Sequence, residues 1–156
     1  MPTYTIFAGV NGAGTSTLYS TLLQENHDFG VRVNSDEIVI SNGGDWRNKS
    51  DQAKAMKMAV KLIKDCMNKG SSFNQETTLT GRSMVNNILK TKKLGYKIIM
   101  NYVGLNSPEL AIQRVAHRVS MGGHGIPEED IKRRYYVSLS KLKELMPLID
   151  ELYIYD

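Results

Sequence analysis

The sequence predicts an α/β fold, a three-layer sandwich in which a mainly parallel sheet carries helices on both faces. Three observations predict it. Short apolar runs rich in strand formers alternate with longer segments of helical period. Glycine or proline punctuates nearly every boundary between them. The first apolar run passes straight into a glycine-rich turn that opens a helix. Strands separated by helices require crossover connections, and crossovers join parallel strands.

The elements follow in order. Residues 4–8 are a short apolar run and read as the first strand. A helix starts near Thr15 and is expected to carry Leu18, Leu22 and Leu23 inward. Residues 31–34 form a second strand, ending at Ser35-Asp36-Glu37, and the Asn42-Gly43-Gly44-Asp45 cluster is a loop. Met56, Ala59, Val60, Ile63 and Met67 then recur at helical spacing until Gly70, and the stripe reads as core. Cys66 lies on the same stripe and reads as core packing.

Residues 72–76 give a third strand poor in strand formers, followed by a helix with Val85, Ile88 and Leu89 that Gly95 closes. Residues 96–103 are the clearest strand. Ser107-Pro108-Glu109 has the makings of a helix start: serine caps, proline takes the first helical position, and glutamate complements the dipole. That helix carries Leu110, Val115 and Val119 to a Gly122-Gly123 break. After Pro127 another helix sets Ile131, Tyr135, Leu139, Leu142 and Leu145 on one face, and residues 148–155 form the last strand.

At 156 residues the chain fits one domain with a sizeable core. A net charge of +4 suits an anionic ligand, but no Lys/Arg run makes a nucleic-acid arm, so nucleic acid is not expected as a partner. A single cysteine excludes an internal disulfide and fits a reducing compartment. No basic leader precedes an apolar stretch, and no run approaches the ~18 apolar residues of a membrane span. A cytoplasmic protein without membrane association is expected.

Gly9-Val10-Asn11-Gly12-Ala13-Gly14-Thr15-Ser16 fits G-x-x-x-x-G-K-[ST] at every fixed position except the lysine, where Thr15 stands. With a strand before it and a helix after it, the segment reads as a P-loop, and the fold class becomes that of a P-loop NTPase. Its backbone N–H groups and the helix N-terminus are suited to phosphate, so Gly9, Asn11, Gly12, Ala13, Gly14, Thr15, Ser16 and Thr17 are the nucleotide-binding candidates. Ser16 would offer its hydroxyl to Mg2+, the expected companion of ATP or GTP. A lysine supplies a point charge at the β/γ-phosphates; threonine supplies a neutral hydroxyl. About a hundred- to thousandfold in rate is at stake, by analogy with losing one preorganised donor.

Asp36 ends the second strand on the edge where open α/β sheets bind ligands. It reads either as a base for a substrate hydroxyl or as the N-cap of the next short helix. Glu76, trailed by Thr77 and Thr78, ends the third strand at the same edge, as a substrate contact or a solvated loop acid. Arg114, Arg118, Arg133 and Arg134 bracket Met121-Gly122-Gly123-His124-Gly125, as a lid over triphosphate or as a basic solvated face. No second ligand is spaced to join His124 in a metal site, so it reads as a loop histidine.

These segments together resemble the zeta toxin family of bacterial toxin–antitoxin kinases, particularly its short chromosomal members. The resemblance is carried by Ala8-Gly9-Val10-Asn11-Gly12-Ala13-Gly14, Asn34-Ser35-Asp36-Glu37-Ile38 and Glu76-Thr77-Thr78-Leu79-Thr80-Gly81. Gly95-Tyr96, Arg114-Val115, Arg118-Val119, Gly122-Gly123-His124, Pro127-Glu128, Arg133-Arg134-Tyr135 and Tyr153-Ile154-Tyr155-Asp156 continue it, in order, over nearly the whole chain. It implies one P-loop kinase domain over 1–156 with an arginine-rich helical lid around 110–136. It also implies transfer of the γ-phosphate of ATP or GTP to a hydroxyl of a nucleotide sugar, UDP-N-acetylglucosamine. Asp36 becomes the base, Glu76, Thr77 and Thr78 meet the substrate, and lid arginines among Arg118, Arg133 and Arg134 sit on the γ-phosphate. A small helical antitoxin protein is the implied partner. Thr15 departs from the family lysine, and members often continue past the position of Asp156. The chain as written is therefore expected to be weak or silent. The alternatives are a nucleotide-binding pseudoenzyme, or a related kinase with another small-molecule acceptor. A transporter-type ATPase is disfavoured, because no Leu-Ser-Gly-Gly-Gln segment is present.

Overall fold

The computed structural model describes residues 1–123 and 125–156. Strands β1 (Thr3–Ala8), β2 (Val31–Val33), β3 (Phe73–Thr77), β4 (Lys97–Val103) and β5 (Glu151–Tyr155) form one sheet in the order β2-β3-β1-β4-β5, with every pairing parallel. The helices are α1 (Thr15–Gln24), α2 (Ser35–Ser41), α3 (Lys49–Lys69), α4 (Ser83–Lys93), α5 (Pro108–Ser120) and α6 (Glu128–Leu145). The register sets Ala8 level with Thr77 on one side and Tyr102 on the other, so β1, β3 and β4 end together at one edge.

Strand period divides the core. Tyr4, Ile6 and Ala8, with Ile98, Met100 and Tyr102, face one side, against Ile63 and Cys66 of α3, Met84 and Ile88 of α4, and Leu142 and Leu145 of α6. Phe7 points to the other side, edge-on to Tyr19 of α1 and to Phe29. A second cluster of Val10, Ala13, Val103, Ala111, Val115 and Ile131 ties the glycine loop to α5 and α6.

The start of α5 is capped as expected. The Ser107 side chain accepts from the Leu110 N–H, with Pro108 at the first helical position. The predicted stop at Gly70 is a left-handed C-cap with φ 64°. The last strand starts at Glu151, later than expected, because a 3-10 turn at Met146–Leu148 takes Leu148 and the Ile149 N–H closes on the Met146 carbonyl. Asp150 follows that turn and accepts from the Ile98 N–H at 2.8 Å and from Lys92 at 3.4 Å, which holds its carboxyl below the usual range.

Several expected core positions lie at the surface. Leu23 and Leu139 are exposed. The α3 stripe is split: Ile63 is buried and Ala59 and Met67 pack on the core, yet Met56 is 62% and Val60 59% exposed. Helical period marks the apolar face; it does not say how far the neighbouring α4 reaches over it. Among the described residues, no helix is long and apolar enough to cross a membrane.

Candidate functional site

Residues 9–16 leave β1 at the carboxyl edge of the sheet, and the backbone conformations there demand glycine. Gly14 has φ 98° and is the N-cap of α1; Gly12 has φ 82°. A Cβ on Gly12 would lie 2.9 Å from the Ala111 carbonyl oxygen and 3.2 Å from the Arg114 Cβ. The loop is therefore pressed against α5, with Gly9 N–H donating to the Thr77 carbonyl at 3.2 Å on its other flank. Backbone N–H groups of such a loop at a helix start are suited to an anion.

Glu76 ends β3 beside this loop and is its main acceptor. Thr15 Oγ1 donates to its Oε1 at 2.5 Å and Ser16 Oγ to the same oxygen at 2.7 Å. Its Oε2 receives Arg32 at 2.6 Å and Asn34 Nδ2 at 3.0 Å. Arg32 and Glu76 are only 15% and 16% exposed as side chains, so this is a half-sequestered polar cluster, not a solvated acid. The Arg32 guanidinium also bonds Glu37 and Asn74 Oδ1, and stacks 3.8 Å above the Tyr19 ring. Within this group two carboxylates face one cation, and a lysine at position 15 would have been the second.

Asn34 caps α2, its side chain accepting from the N–H groups of Asp36 and Glu37. The N-cap alternative for Asp36 is thereby corrected: Asp36 lies in the first turn of α2, exposed at the same edge as Glu76. Thr77 and Thr78 shape the turn after β3. Thr77 Oγ1 accepts from the Leu79 N–H, and the Thr78 and Thr80 hydroxyls pair at 2.8 Å. Leu79 is fully buried in a left-handed conformation, φ 60°, a strained position for a branched side chain next to the site.

The arginines are not equivalent. Arg134 reaches the loop and donates to Asn11 Oδ1 at 3.2 Å across 123 residues of sequence. Arg133 turns outward to Asp130, at 3.4 Å. Arg118 is half-buried beside Gly123, whose N–H closes α5 on the Arg118 carbonyl at 2.8 Å, while Arg114 is exposed above Gly12. The position of His124 lies outside the described residues. Gly125 packs on the Trp46 ring from the loop before α3. A polar hollow of about 300 Å³ opens beside the glycine loop, lined by Ala13, Gly104, Asn106, Arg114 and Asp156.

Ser16 Oγ and the Glu76 carboxylate offer hard oxygen donors 2.7 Å apart. That chemistry fits a magnesium ion, which Ser16 and Glu76 would help to hold and which would neutralise phosphate charge there. Among the described residues, no group of three or more His, Cys, Asp and Glu side chains could hold a metal ion by itself. Sequence reasoning missed Arg32 altogether. A single basic residue in a three-residue edge strand carries no spacing signal, and only the parallel register of β2 with β3 brings it to Glu76.

An open parallel sheet with a glycine loop at its carboxyl edge and an arginine-bearing helical pair over it defines a P-loop nucleotide-binding protein of kinase type. The zeta toxin family model matches residues 1–156, and the chain belongs to that family, by family a phosphotransferase. An uncharacterized protein of Haemophilus influenzae is 32% identical over 130 residues, which cover 83% of this chain and 89% of that protein. The structure of the PezAT chromosomal toxin–antitoxin system of Streptococcus pneumoniae superposes with a TM-score of 0.69 at 20% identity, over 99% of this chain and 68% of that one. The AvrRxo1-ORF1:-ORF2 structure with ATP gives 0.70 at 15% identity over 94% of this chain, which spans about half, 51%, of the length of that chain. At these identities the two structures speak for the fold.

Proposed function

We propose that this chain is built as a small-molecule kinase that moves the γ-phosphate of ATP or GTP to a hydroxyl of a nucleotide sugar, UDP-N-acetylglucosamine, and that Thr15 leaves it weak or silent. The observation that carries the reading is the Glu76 cluster. One carboxylate at the sheet edge draws together both loop hydroxyls, Thr15 and Ser16, beside the exposed Asp36. The whole chain, 1–156, is one kinase domain, with residues around 110–136 as its lid.

In this reading the loop N–H groups hold the β- and γ-phosphates, and the metal supplies charge neutralisation there once bound. Asp36 accepts the proton of the attacking hydroxyl, and Glu76, Thr77 and Thr78 fix the edge that meets the substrate. Arg134, already on Asn11, and Arg118 place positive charge where the transferred group carries negative charge; Arg133 joins them only by leaving Asp130. A small helical antitoxin protein is the proposed partner, and the cytoplasm the proposed location.

Thr15→Lys is the test. It restores the second cation to the Glu76 group, and turnover of ATP with UDP-N-acetylglucosamine rises at least about tenfold, the low end of one electrostatic donor. The product is read by mass spectrometry of the nucleotide sugar. A lysine variant inert toward every nucleotide sugar refutes the acceptor. Micromolar ATP·Mg binding without transfer, in both forms, supports the second reading, a nucleotide-binding pseudoenzyme, which Thr15 itself favours.

A further inference from the structure

The positive charge missing from position 15 has a neighbour on another strand. Arg32 of β2 donates to Glu76 Oε2 at 2.6 Å, and Thr15 Oγ1 donates to the other oxygen of the same carboxylate at 2.5 Å. Adding the ~2.2 Å between the two oxygens of a carboxylate keeps the guanidinium within about 7 Å of the Thr15 hydroxyl. An anion one hydrogen bond beyond Thr15 is then within about 10 Å of a full positive charge.

That charge is held in place from beneath. Arg32 lies in register with Asn74 of β3, which is fully buried. A buried amide is costly unless its polar atoms are bonded. Asn74 Oδ1 accepts from Arg32 at 3.2 Å, and Nδ2 donates to the Phe29 and Val31 carbonyls at 3.2 and 3.4 Å. Glu37 and the Tyr19 ring take the other flanks of the guanidinium. A cation fixed by Glu76, Glu37, Asn74 and Tyr19 together cannot travel with a phosphoryl group. It does set the potential of the loop, which Glu76, Glu37 and Asp36 at the same edge would otherwise make negative.

We propose that Arg32 is the counter-charge for nucleotide binding in this chain. It is a positioning residue that neutralises Glu76 and so lets a loop without its lysine hold a polyphosphate. The inference rests on the kinase reading and divides it in two. The charge that binding needs stands on β2, whereas the charge that follows the γ-phosphate is lost with the lysine.

Calorimetric titration of ATP·Mg into the intact chain tests this, with a thermal melt of every variant alongside. Arg32→Met is expected to weaken binding about tenfold, the effect of one unit charge at ~10 Å and an effective dielectric constant near 20. Arg32→Gln, which keeps a donor for Glu76 and drops the charge, is expected to lose as much and serves where the methionine variant does not fold. Arg32→Lys should stay within about threefold of the parent even as it loses the planar fork and part of the Tm. In the Thr15→Lys background, Arg32→Met should cost less than about threefold, because the new ammonium neutralises Glu76 instead.

Affinity that simply follows Tm, with Arg32→Lys losing both, marks a structural role alone and overturns the proposal. Parent-like ATP·Mg binding by Arg32→Met overturns it too, as does a tenfold loss that persists in the Thr15→Lys background. Each of these results leaves the kinase reading standing. A parent chain that binds no ATP·Mg refutes the kinase reading itself, and this inference with it.

Discussion

Replacing Arg32 with methionine isolates the charge that anchors the site. Methionine keeps most of the stem against Tyr19 and removes the guanidinium, with its bonds to Glu76 at 2.6 Å, Glu37 at 3.1 Å and Asn74 at 3.2 Å. Breaking a fully buried ion pair from one side costs about 3–5 kcal/mol, since it strands the other charge. Here Glu76 is 16% exposed and keeps Thr15, Ser16 and Asn34 as donors, which brings the expected loss to about 2 kcal/mol. An unfolding entropy of about 2.1 cal/mol/K per residue over 156 residues converts this to a Tm lower by about 6 °C. Scanning calorimetry at pH 7 reads it. Arg32→Lys, which restores charge without the planar fork, should recover part of the loss, and a double-mutant cycle with Glu76→Gln should return a coupling of about 1–2 kcal/mol. A methionine variant within about 1 °C of the parent would refute the idea that this cation stabilises the cluster.

Other perturbations probe the loop and the sheet's far end. Gly12→Ala must fit a Cβ at φ 82° within 2.9 Å of the Ala111 carbonyl oxygen, so it should cost about 2 kcal/mol in a thermal melt and weaken ATP·Mg binding by calorimetry. An unchanged Tm would show that α5 yields freely there. Asp150→Asn should lower the Tm by about 3 °C at pH 7, because the carboxylate holds the Ile98 N–H and Lys92. The Asp150 carboxyl titrates lower folded than unfolded, so its contribution is complete above the ordinary carboxylate range and fades as pH falls through the folded value. The two proteins should therefore converge in Tm under acid conditions, and a constant gap down to low pH contradicts the assignment.

Local chemistry made much of the fold legible. Ser107-Pro108 announced α5 and Gly70 ended α3, since caps and left-handed stops are written in single residues. The glycine loop was readable for the same reason, and the sheet order is the one right-handed crossovers and a strand–loop–helix start make natural. Met56 and Val60 misled because period reports an apolar face and says nothing about whether another element covers it. The two carboxylates could be read only from end-of-strand position. That position places Glu76 and Asp36 at one edge, whereas the Glu76 bonds to Thr15, Ser16 and Arg32 are products of register across three strands. That Arg134 reaches Asn11 while its neighbour Arg133 turns to Asp130 follows from the roughly 100° that separates consecutive residues around a helix.

The contact between Gly125 and Trp46 makes the molecule its own optical instrument. The chain has one tryptophan, and it stands beside Gly125 of the α5–α6 segment, with the Arg47 guanidinium 4.4 Å from its ring. Its emission therefore comes from a single place, so that a change in colour or intensity on adding nucleotide reports the approach or withdrawal of that segment without any attached label.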